Sequence, residues 1–201
     1  MILPNQLTVL RIILTPIFLV LFLSDDPLLI QISLGVFIIA AITDWYDGWL
    51  ARKFNYITEW GKFLDPLADK ILTSTAFIAL VVLGILELWM VILIILRDII
   101  VTLLRLLADH RKISFSTSRS AQWKTFFQMF FLYYLLLVYT AQTVHWITNI
   151  NPGLFENLLN PVLIYFVMLF ITLFTLFTGF TYLFSNRILI KQLLHFETKS
   201  N

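Results

Sequence analysis

The chain has 201 residues, of which 60% are hydrophobic and 13% are charged, with a formal net charge of +2 and a mean hydropathy of +0.89. Because a soluble domain typically carries about 25% charged residues, this composition excludes an ordinary water-soluble protein and predicts an integral membrane protein. Cysteine is absent, which excludes disulfides and thiolate metal sites. Since about 20 helical residues cross a hydrocarbon core roughly 30 Å thick, residues 1–201 accommodate six spans in a single membrane domain.

The first two predicted spans lead to an unusually acidic stretch. The apolar run Asn5–Leu23 has no basic n-region or cleavage site, so it predicts a membrane anchor and not a removable signal peptide. The second helix is predicted to begin at Pro27, with Asp26 as its N-cap, and to end at about Phe54. A helix of about 28 residues is longer than the hydrocarbon core is thick. We therefore expect its last turns, Asp44–Arg52, to lie near one membrane interface.

Four further spans complete an all-α fold. The third helix is predicted to begin between Trp60 and Pro66 and to end near Leu83, and proline is expected in its first turn. Asp65 and Asp69 then lie in its opening turns. The last three helices are predicted at about Glu87–Ala108, at about Ala121–Thr143 and from Leu158 into the tail. No segment shows the period-two alternation of a membrane barrel.

Basic residues fall on one side of this six-span arrangement. On that side lie Arg52, Lys53, Lys62, Lys70, Arg105, Arg111, Lys112, Arg119, Lys124, Arg187, Lys191 and Lys199. The opposite loops, Ser24–Pro27, Gly84–Leu88 and Thr140–Pro161, contain no Lys or Arg. By the positive-inside rule, the basic side and both termini are expected in the cytoplasm. Arg11 and Arg97 are the basic residues that fall within spans.

The acidic stretch contains two pairs of aspartates, Asp44/Asp47 and Asp65/Asp69. Residues three or four apart share a helix face, so each pair can direct two carboxylates at one point. A charge at the bilayer centre costs about 2.5–3.5 kcal/mol, which marks such residues as functional candidates. Oxygen ligands suit Mg²⁺ or Mn²⁺, and a metal pair is a recurring device for phosphoryl transfer. The alternative is a set of structural ion pairs with Arg52, Lys53, Lys62 and Lys70.

Small residues lie between the two aspartate pairs. Gly48 and Gly61 have no side chain, so they leave helix backbone exposed where a pyrophosphate or nucleotide can approach closely. The guanidinium group of Arg52 offers paired N–H donors for hydrogen bonds to a phosphate or to the edge of a base. An aspartate that the metals engage only in part can accept a proton from an incoming hydroxyl. The stretch therefore indicates a phosphoryl-transfer site.

The complete spacing D-x2-D-G-x2-A-R-x8-G-x3-D-x3-D is present as Asp44, Asp47, Gly48, Ala51, Arg52, Gly61, Asp65 and Asp69. It resembles the signature of the CDP-alcohol phosphatidyltransferases, six-span membrane enzymes that move a phosphatidyl group from a CDP-linked lipid to an alcohol. The resemblance implies that the four aspartates bind two divalent cations, Mg²⁺ or Mn²⁺, and that Asp69 is the base. It also implies that Asp44, Gly48, Ala51, Arg52 and Gly61 contact the CDP group. A homodimer is implied in the same way. From the positive-inside rule, the aspartate stretch is expected to face the cytoplasm, and a bacterial inner membrane is the expected location.

Other segments resemble the bacterial phosphatidylglycerophosphate synthase branch of that family. They are Pro4-Asn5-x-Leu7-Thr8-x-x-Arg11, Asp65-Pro66-x-Ala68-Asp69-Lys70, Arg97-Asp98-Ile99-Ile100 and Lys124-Thr125-x-x-Gln128. This branch implies CDP-diacylglycerol as donor and sn-glycerol 3-phosphate as acceptor. A dianionic acceptor needs cations, and we expect Arg97, Arg105, Arg119 and Lys124 to supply them.

Two alternatives stay open at this point. Ala121 and Gln122 replace the glycine and first lysine of the branch pattern G-K-x-K-T. A cardiolipin synthase that uses phosphatidylglycerol, or an enzyme that transfers to inositol phosphate or serine, is therefore an alternative within the family. A divalent-cation channel or transporter is the non-enzyme alternative, although a conduction path should stack acidic groups along the membrane depth. Membrane lipids are expected partners, and nucleic acid is not.

Overall fold

A computed structural model describes residues 3–54, 59–111, 119–150 and 152–190. Within them it describes all side chains except those of residues 3–5, 44–45, 47–54, 59–60, 62–63, 110, 145, 149–150 and 152. The helices are α1 (Leu3–Phe22), α2 (Pro27–Phe54), α3 (Glu59–Val82), α4 (Leu88–His110), α5 (Arg119–Gln142), α6 (His145–Ile150), α7 (Pro152–Leu158) and α8 (Pro161–Ser185). The described ranges contain no strand, which confirms the all-α prediction for them.

The ends of the long helices follow from local sequence. Asp26 Oδ1 accepts a hydrogen bond from the backbone N–H of Leu28 at 2.8 Å, so the predicted N-cap before Pro27 is confirmed. Asn160 caps α8 in the same way, because its side chain accepts from two backbone N–H groups of the first turn. Gly84, with φ of 71°, follows α3 in the left-handed conformation that glycine adopts without steric cost.

Two details of the predicted helices were wrong. Pro66 is the eighth residue of α3 and not part of its first turn, because the helix already begins at Glu59. Asp65 and Asp69 are therefore its seventh and eleventh residues. Proline has no backbone N–H, so the carbonyl four residues earlier loses its helical hydrogen bond. The helix nevertheless continues through Pro66, and Ala68 and Leu72 on the following turns are buried in the bundle. Packing of these residues keeps the helix continuous.

The second correction concerns the segment Thr140–Pro161, which was predicted as a loop. It contains the short helices α6 and α7, and the last long helix begins at Pro161, close to the predicted start at about Leu158. The hydroxyl of Tyr134 on α5 donates to the carbonyl of Leu158 at 2.8 Å, which fixes the end of α7 against the bundle.

Aromatic contacts form one end of the bundle core. The rings of Phe18 and Phe37 lie 5.1 Å apart between α1 and α2. Two further contacts reach α5, at 5.3 Å between Phe22 and Tyr139 and at 5.6 Å between Phe37 and Tyr133. Aromatic pairs at such separations add about 0.5–1.5 kcal/mol beyond the area they bury. These contacts fix α1, α2 and α5 against one another.

The other end of the same bundle is polar. A group of buried polar residues lies in the first half of α1 and α5 and from the middle of α4 and α8 onward, namely Thr8, Arg11, Asp98, Lys124, Gln128, Thr175 and Thr178. α3 packs on α1 and α4, and α8 packs on α4 and α5. Ion pairs of Asp98 with Lys70 and Lys124 bring charged residues of α3, α4 and α5 together at this end.

Two helical segments are long and apolar enough to cross a membrane, Arg119–Gln142 and Gly153–Ser185. Gln6–Phe22 and Pro27–Thr43 are shorter apolar helices. The outward face of α8 carries exposed Phe166, Phe170 and Phe180, as expected for side chains that contact lipid. These features are those of a membrane protein.

Candidate active site

A cavity of about 660 Å³ opens at the polar end, between α3, α4, α5 and α8. Small-molecule sites typically measure about 300–1,000 Å³, so the volume suits a small substrate. Its polar lining consists of Asp69, Lys70, Arg97, Asp98, Thr102, Arg105, Asp109, Gln122, Thr125 and Tyr182. The cavity therefore combines carboxylates with arginines, which is the composition that the sequence predicts for a site of phosphoryl transfer.

Asp98 is the centre of the charged network. Arg97 Nη1 lies 3.0 Å from Asp98 Oδ1, and Lys124 Nζ donates to the same oxygen. On the other oxygen, Gln128 Nε2 donates at 3.4 Å and Lys70 Nζ lies 3.9 Å away. One carboxylate thus holds basic side chains of α3, α4 and α5. A buried charge with several partners is the arrangement in which intramembrane ions are tolerated.

Arg97 connects this network to α8. Its Nη2 donates a hydrogen bond to Thr178 Oγ1 at 3.2 Å, and that hydroxyl donates to the carbonyl of Thr175 at 3.0 Å. The side chain of Arg97 is only 12% exposed. Its guanidinium is therefore held from two sides, by the carboxylate of Asp98 and by the hydroxyl of Thr178.

The two aspartates of α3 have different surroundings. Asp65 Oδ1 accepts a hydrogen bond from Thr8 Oγ1 at 2.5 Å, which links α3 to α1. Asp69 lines the cavity, its side chain is 33% exposed, and its Oδ2 lies 3.4 Å from Lys70 Nζ. The proposed ion pair with Lys70 is thus present for Asp69. An exposed pair of this kind contributes little stability, and it leaves the carboxylate accessible from the cavity.

The residues predicted on α2 have a more limited description. Asp44, Asp47, Gly48, Ala51 and Arg52 belong to the helical residues of α2, and the contacts of their side chains lie outside the described part of the chain. Gly61, also predicted to contact CDP, is buried within α3. Among the described side chains there is no group of three or more His, Cys, Asp or Glu residues that could hold a metal ion.

The four residues predicted to bind the acceptor occupy three environments. Arg97 and Arg105 both line the cavity, as their eight-residue spacing predicts. Lys124 is buried behind Asp98, with 1% of its side chain exposed. Arg119, the first residue of α5, is exposed and does not belong to the cavity lining. The structure therefore brings two of the four to the cavity wall and a third to its supporting layer.

A model of the CDP-alcohol phosphatidyltransferase family matches residues 1–152 of this chain. The chain belongs to that family. The resemblance of the aspartate spacing to the family signature is thereby confirmed. The residues of this chain that the family model matches include both aspartate pairs, the charged half of α4 and the start of α5.

Individual members of the CDP-alcohol phosphatidyltransferase family are similar to the chain. A protein of Bacillus subtilis (strain 168) named CDP-diacylglycerol–glycerol-3-phosphate 3-phosphatidyltransferase is 47% identical over 116 residues, or 52% of this chain and 60% of that protein. A protein of Rickettsia typhi with the same name is 39% identical over 135 residues, covering 67% of this chain and 76% of that protein. For the Bacillus subtilis relative, the match thus spans less than two thirds of its length.

Several residues that line this cavity or support it were not predicted from the sequence. Asp98 was assigned no role, although a carboxylate in an apolar run requires partners. Gln128 lies four residues after Lys124, so the two share the face of α5 that meets Asp98. Thr178 and Tyr182 are likewise four residues apart on α8. That helix follows the residues that the family model matches.

Proposed function

We propose that this chain transfers the phosphatidyl group of CDP-diacylglycerol to sn-glycerol 3-phosphate, giving phosphatidylglycerol phosphate and CMP. The observation that carries the proposal is that Asp69, Arg97 and Arg105 line the same cavity. It places a carboxylate of the family signature beside cations suited to a phosphate. The names of the Bacillus subtilis and Rickettsia typhi relatives support the same donor and acceptor.

The balance of charge supports an anionic acceptor. The cavity and its supporting layer contain four basic side chains, those of Lys70, Arg97, Arg105 and Lys124. They also contain three carboxylates, those of Asp69, Asp98 and Asp109. The basic side chains thus outnumber the carboxylates, and a divalent ion bound to Asp69 would add further positive charge. This excess of positive charge suits an acceptor that carries a phosphate.

The metal ions implied by the family fit the donors present. Asp65 and Asp69 offer carboxylate oxygens on α3, and Asp44 and Asp47 are proposed to supply the other pair from α2. Oxygen donors of this kind suit Mg²⁺ or Mn²⁺. When bound, such a metal pair neutralises charge that develops on the pyrophosphate. Thr8 orients Asp65 for this purpose through its hydrogen bond.

We assign the remaining roles from the family signature. The hydroxyl oxygen of the acceptor forms the new bond to the lipid phosphorus, and its proton passes to Asp69. The bond from that phosphorus to the CMP oxygen then breaks, and CMP leaves. Gly48, Ala51, Arg52 and Gly61, with Asp44, are proposed to contact the CDP group. Arg97 and Arg105 hold the phosphate of the acceptor through charge-assisted hydrogen bonds.

The membrane arrangement follows from the same layout. We propose six spans formed by α1–α5 and α8, with α6 and α7 on the outer side. The polar end carrying the cavity would face the cytoplasm, together with both termini. The chain would then lie in a bacterial inner membrane with its active site on the cytoplasmic side. The homodimer implied by the family remains a prediction.

One observation favours a second acceptor. Ala121 and Gln122, which replace the glycine and lysine of the glycerol-phosphate branch, both line the cavity. A cavity wall with one fewer lysine suits phosphatidylglycerol, the acceptor of a cardiolipin synthase. The divalent-cation channel has less support, because the buried charged residues among those described, Arg11, Asp98 and Lys124, lie at the polar end of the bundle, whereas the core at the other end is aromatic.

An acceptor panel tests the proposal. Purified protein with CDP-diacylglycerol and Mg²⁺ or Mn²⁺ is offered glycerol 3-phosphate, phosphatidylglycerol, inositol phosphate or serine in separate reactions. We expect CMP release and phosphatidylglycerol phosphate with glycerol 3-phosphate alone. A lipid product from another acceptor would reassign the substrate. Divalent-ion flux into vesicles without CMP release from any acceptor would support the channel.

A further inference from the structure

Gly179 of α8 lies beside the aliphatic part of the Arg97 side chain. A Cβ atom at this position would lie 2.9 Å from Arg97 Cγ, 3.2 Å from Nε and 3.7 Å from Cδ. Non-bonded carbon atoms are normally about 3.5–4.0 Å apart. Because Cγ lies near the root of the side chain, moving the guanidinium tip alone would not relieve this contact. The observed conformation of Arg97 therefore requires a residue without a side chain at position 179.

The neighbouring Thr178 holds the other end of the same side chain. Its hydroxyl accepts from Arg97 Nη2 at 3.2 Å, while Nη1 donates to Asp98 at 3.0 Å. The Nε atom is buried and has no hydrogen-bond partner among the described residues. α8 thus determines where the aliphatic part of Arg97 runs and where one of its terminal nitrogens points.

We propose that Gly179 and Thr178 are positioning residues for acceptor binding, which direct the Arg97 guanidinium toward the phosphate of the acceptor. The inference rests on the proposed function. It assigns α8 a part in acceptor specificity, although this helix follows the residues matched by the family model. Arg97 can bind a phosphate in the cavity only if α8 leaves space for its side chain and Thr178 fixes its orientation.

The simpler role for a glycine here is close helix packing, which small residues commonly permit in membranes. The contacts distinguish the two roles. All three of the atoms nearest to a Cβ at Gly179 belong to the side chain of Arg97, and none belongs to the backbone of α4. The space that Gly179 provides is therefore occupied by an arginine side chain and not by a neighbouring helix backbone.

Gly179→Ala tests the inference, with Gly35→Ala as a matched control. Gly35 is also helical, and a Cβ there would meet nothing within 4 Å. For Gly179→Ala we expect the KM for glycerol 3-phosphate to rise about ten-fold, the loss expected when a hydrogen bond to a charged group is removed. The KM for CDP-diacylglycerol and kcat should stay within about two-fold of wild type. Gly35→Ala should leave all three unchanged.

A second variant and a double-mutant cycle separate positioning from stability. Thr178→Val removes the acceptor for Arg97 Nη2 with almost no change in volume, so it should raise the same KM even if Gly179→Ala fails to fold. In an Arg97→Ala background, Gly179→Ala should add no further change, because the side chain that it displaces is gone. A packing role predicts an additional loss there, and that result would overturn the inference.

The proposed function and the inference fail in different ways. If wild type releases CMP with glycerol 3-phosphate, but neither Gly179→Ala nor Thr178→Val raises the KM for it, the inference is overturned and the function stands. If wild type releases no CMP with glycerol 3-phosphate, the proposed acceptor is wrong and the inference that rests on it is overturned as well.

Discussion

Lys124 and Asp98 form a buried ion pair between α5 and α4, with Lys124 Nζ against Asp98 Oδ1 and only 1% of the lysine side chain exposed. Asp98 lines the cavity, whereas Lys124 lies behind it. The lysine thus fixes the position of Asp98 and of the Arg97 that shares the same oxygen, and we propose that it acts on the acceptor in this indirect way. A residue predicted to bind the acceptor can in this way influence binding without contacting the substrate.

Loss of Lys124 should reduce both stability and acceptor affinity. Removing one partner of a buried ion pair typically costs about 3–5 kcal/mol, and we expect a smaller loss for Lys124→Met because Arg97 still contacts Asp98. The melting temperature in detergent should fall, and the KM for glycerol 3-phosphate should rise more than that for CDP-diacylglycerol. Adding Asp98→Asn should recover part of the melting temperature without restoring acceptor affinity. An unchanged melting temperature in Lys124→Met would argue against the buried pair.

Arg105 and Arg119 should differ in their importance for the acceptor. Arg105 lines the cavity, while Arg119 is exposed at the start of α5 and outside the lining. Arg105→Gln should raise the KM for glycerol 3-phosphate by about ten-fold or more, since hydrogen bonds to charged groups contribute about 1.5–3 kcal/mol. Arg119→Gln serves as the matched comparison and should have a clearly smaller effect. Equal effects on this KM would show that the cavity does not define the acceptor site.

The Thr8 hydroxyl should matter for the metal dependence of the reaction. Thr8→Val removes the hydrogen bond to Asp65 while keeping the side-chain volume. We expect the Mg²⁺ or Mn²⁺ concentration for half-maximal CMP release to rise by up to about ten-fold. Thr181→Val is a suitable control, because that hydroxyl donates to carbonyls of its own helix. If both variants need the same metal concentration as wild type, Thr8 does not position a metal ligand.

Asp69 is the predicted base, and its accessibility from the cavity is compatible with that role. Asp69→Asn keeps the shape of the side chain but cannot take up the proton of the acceptor hydroxyl. We expect CMP release to be abolished, while CDP-diacylglycerol binding stays measurable in an equilibrium assay. Asp26→Asn, at the N-cap of α2, is the control and should retain activity, since asparagine caps helices as well as aspartate does. Transfer that persists in Asp69→Asn would rule out its role as base.

The positions of the long helices could be predicted because each coincides with an apolar run bounded by polar or turn-forming residues. Asp26 and Pro27 specified the start of α2 through local chemistry alone. Pro66 was misplaced because the usual preference of proline for a first turn was overridden by packing around α3. The helices α6 and α7 were missed because each has no more than seven residues, too few for a periodic pattern.

The candidate site was predictable only in part. Spacing along one helix placed Arg97 and Arg105 on a common cavity wall, as observed. Spacing could not show that Asp98 pairs with Lys124, because contacts between helices depend on how each helix is rotated in the bundle. Nor could it show that Gly179, far along the chain, accommodates the side chain of Arg97.

The central claim is that carboxylates of α2 and α3 hold a pair of divalent cations beside the acceptor cavity. Electron paramagnetic resonance of purified protein titrated with Mn²⁺ tests it directly, by counting bound ions and detecting spin coupling between them. We predict two coupled Mn²⁺ ions per chain, and loss of the coupled signal in Asp44→Ala and in Asp65→Ala but not in Asp26→Asn. A single uncoupled ion, or a coupled signal that survives in both alanine variants, would contradict the account.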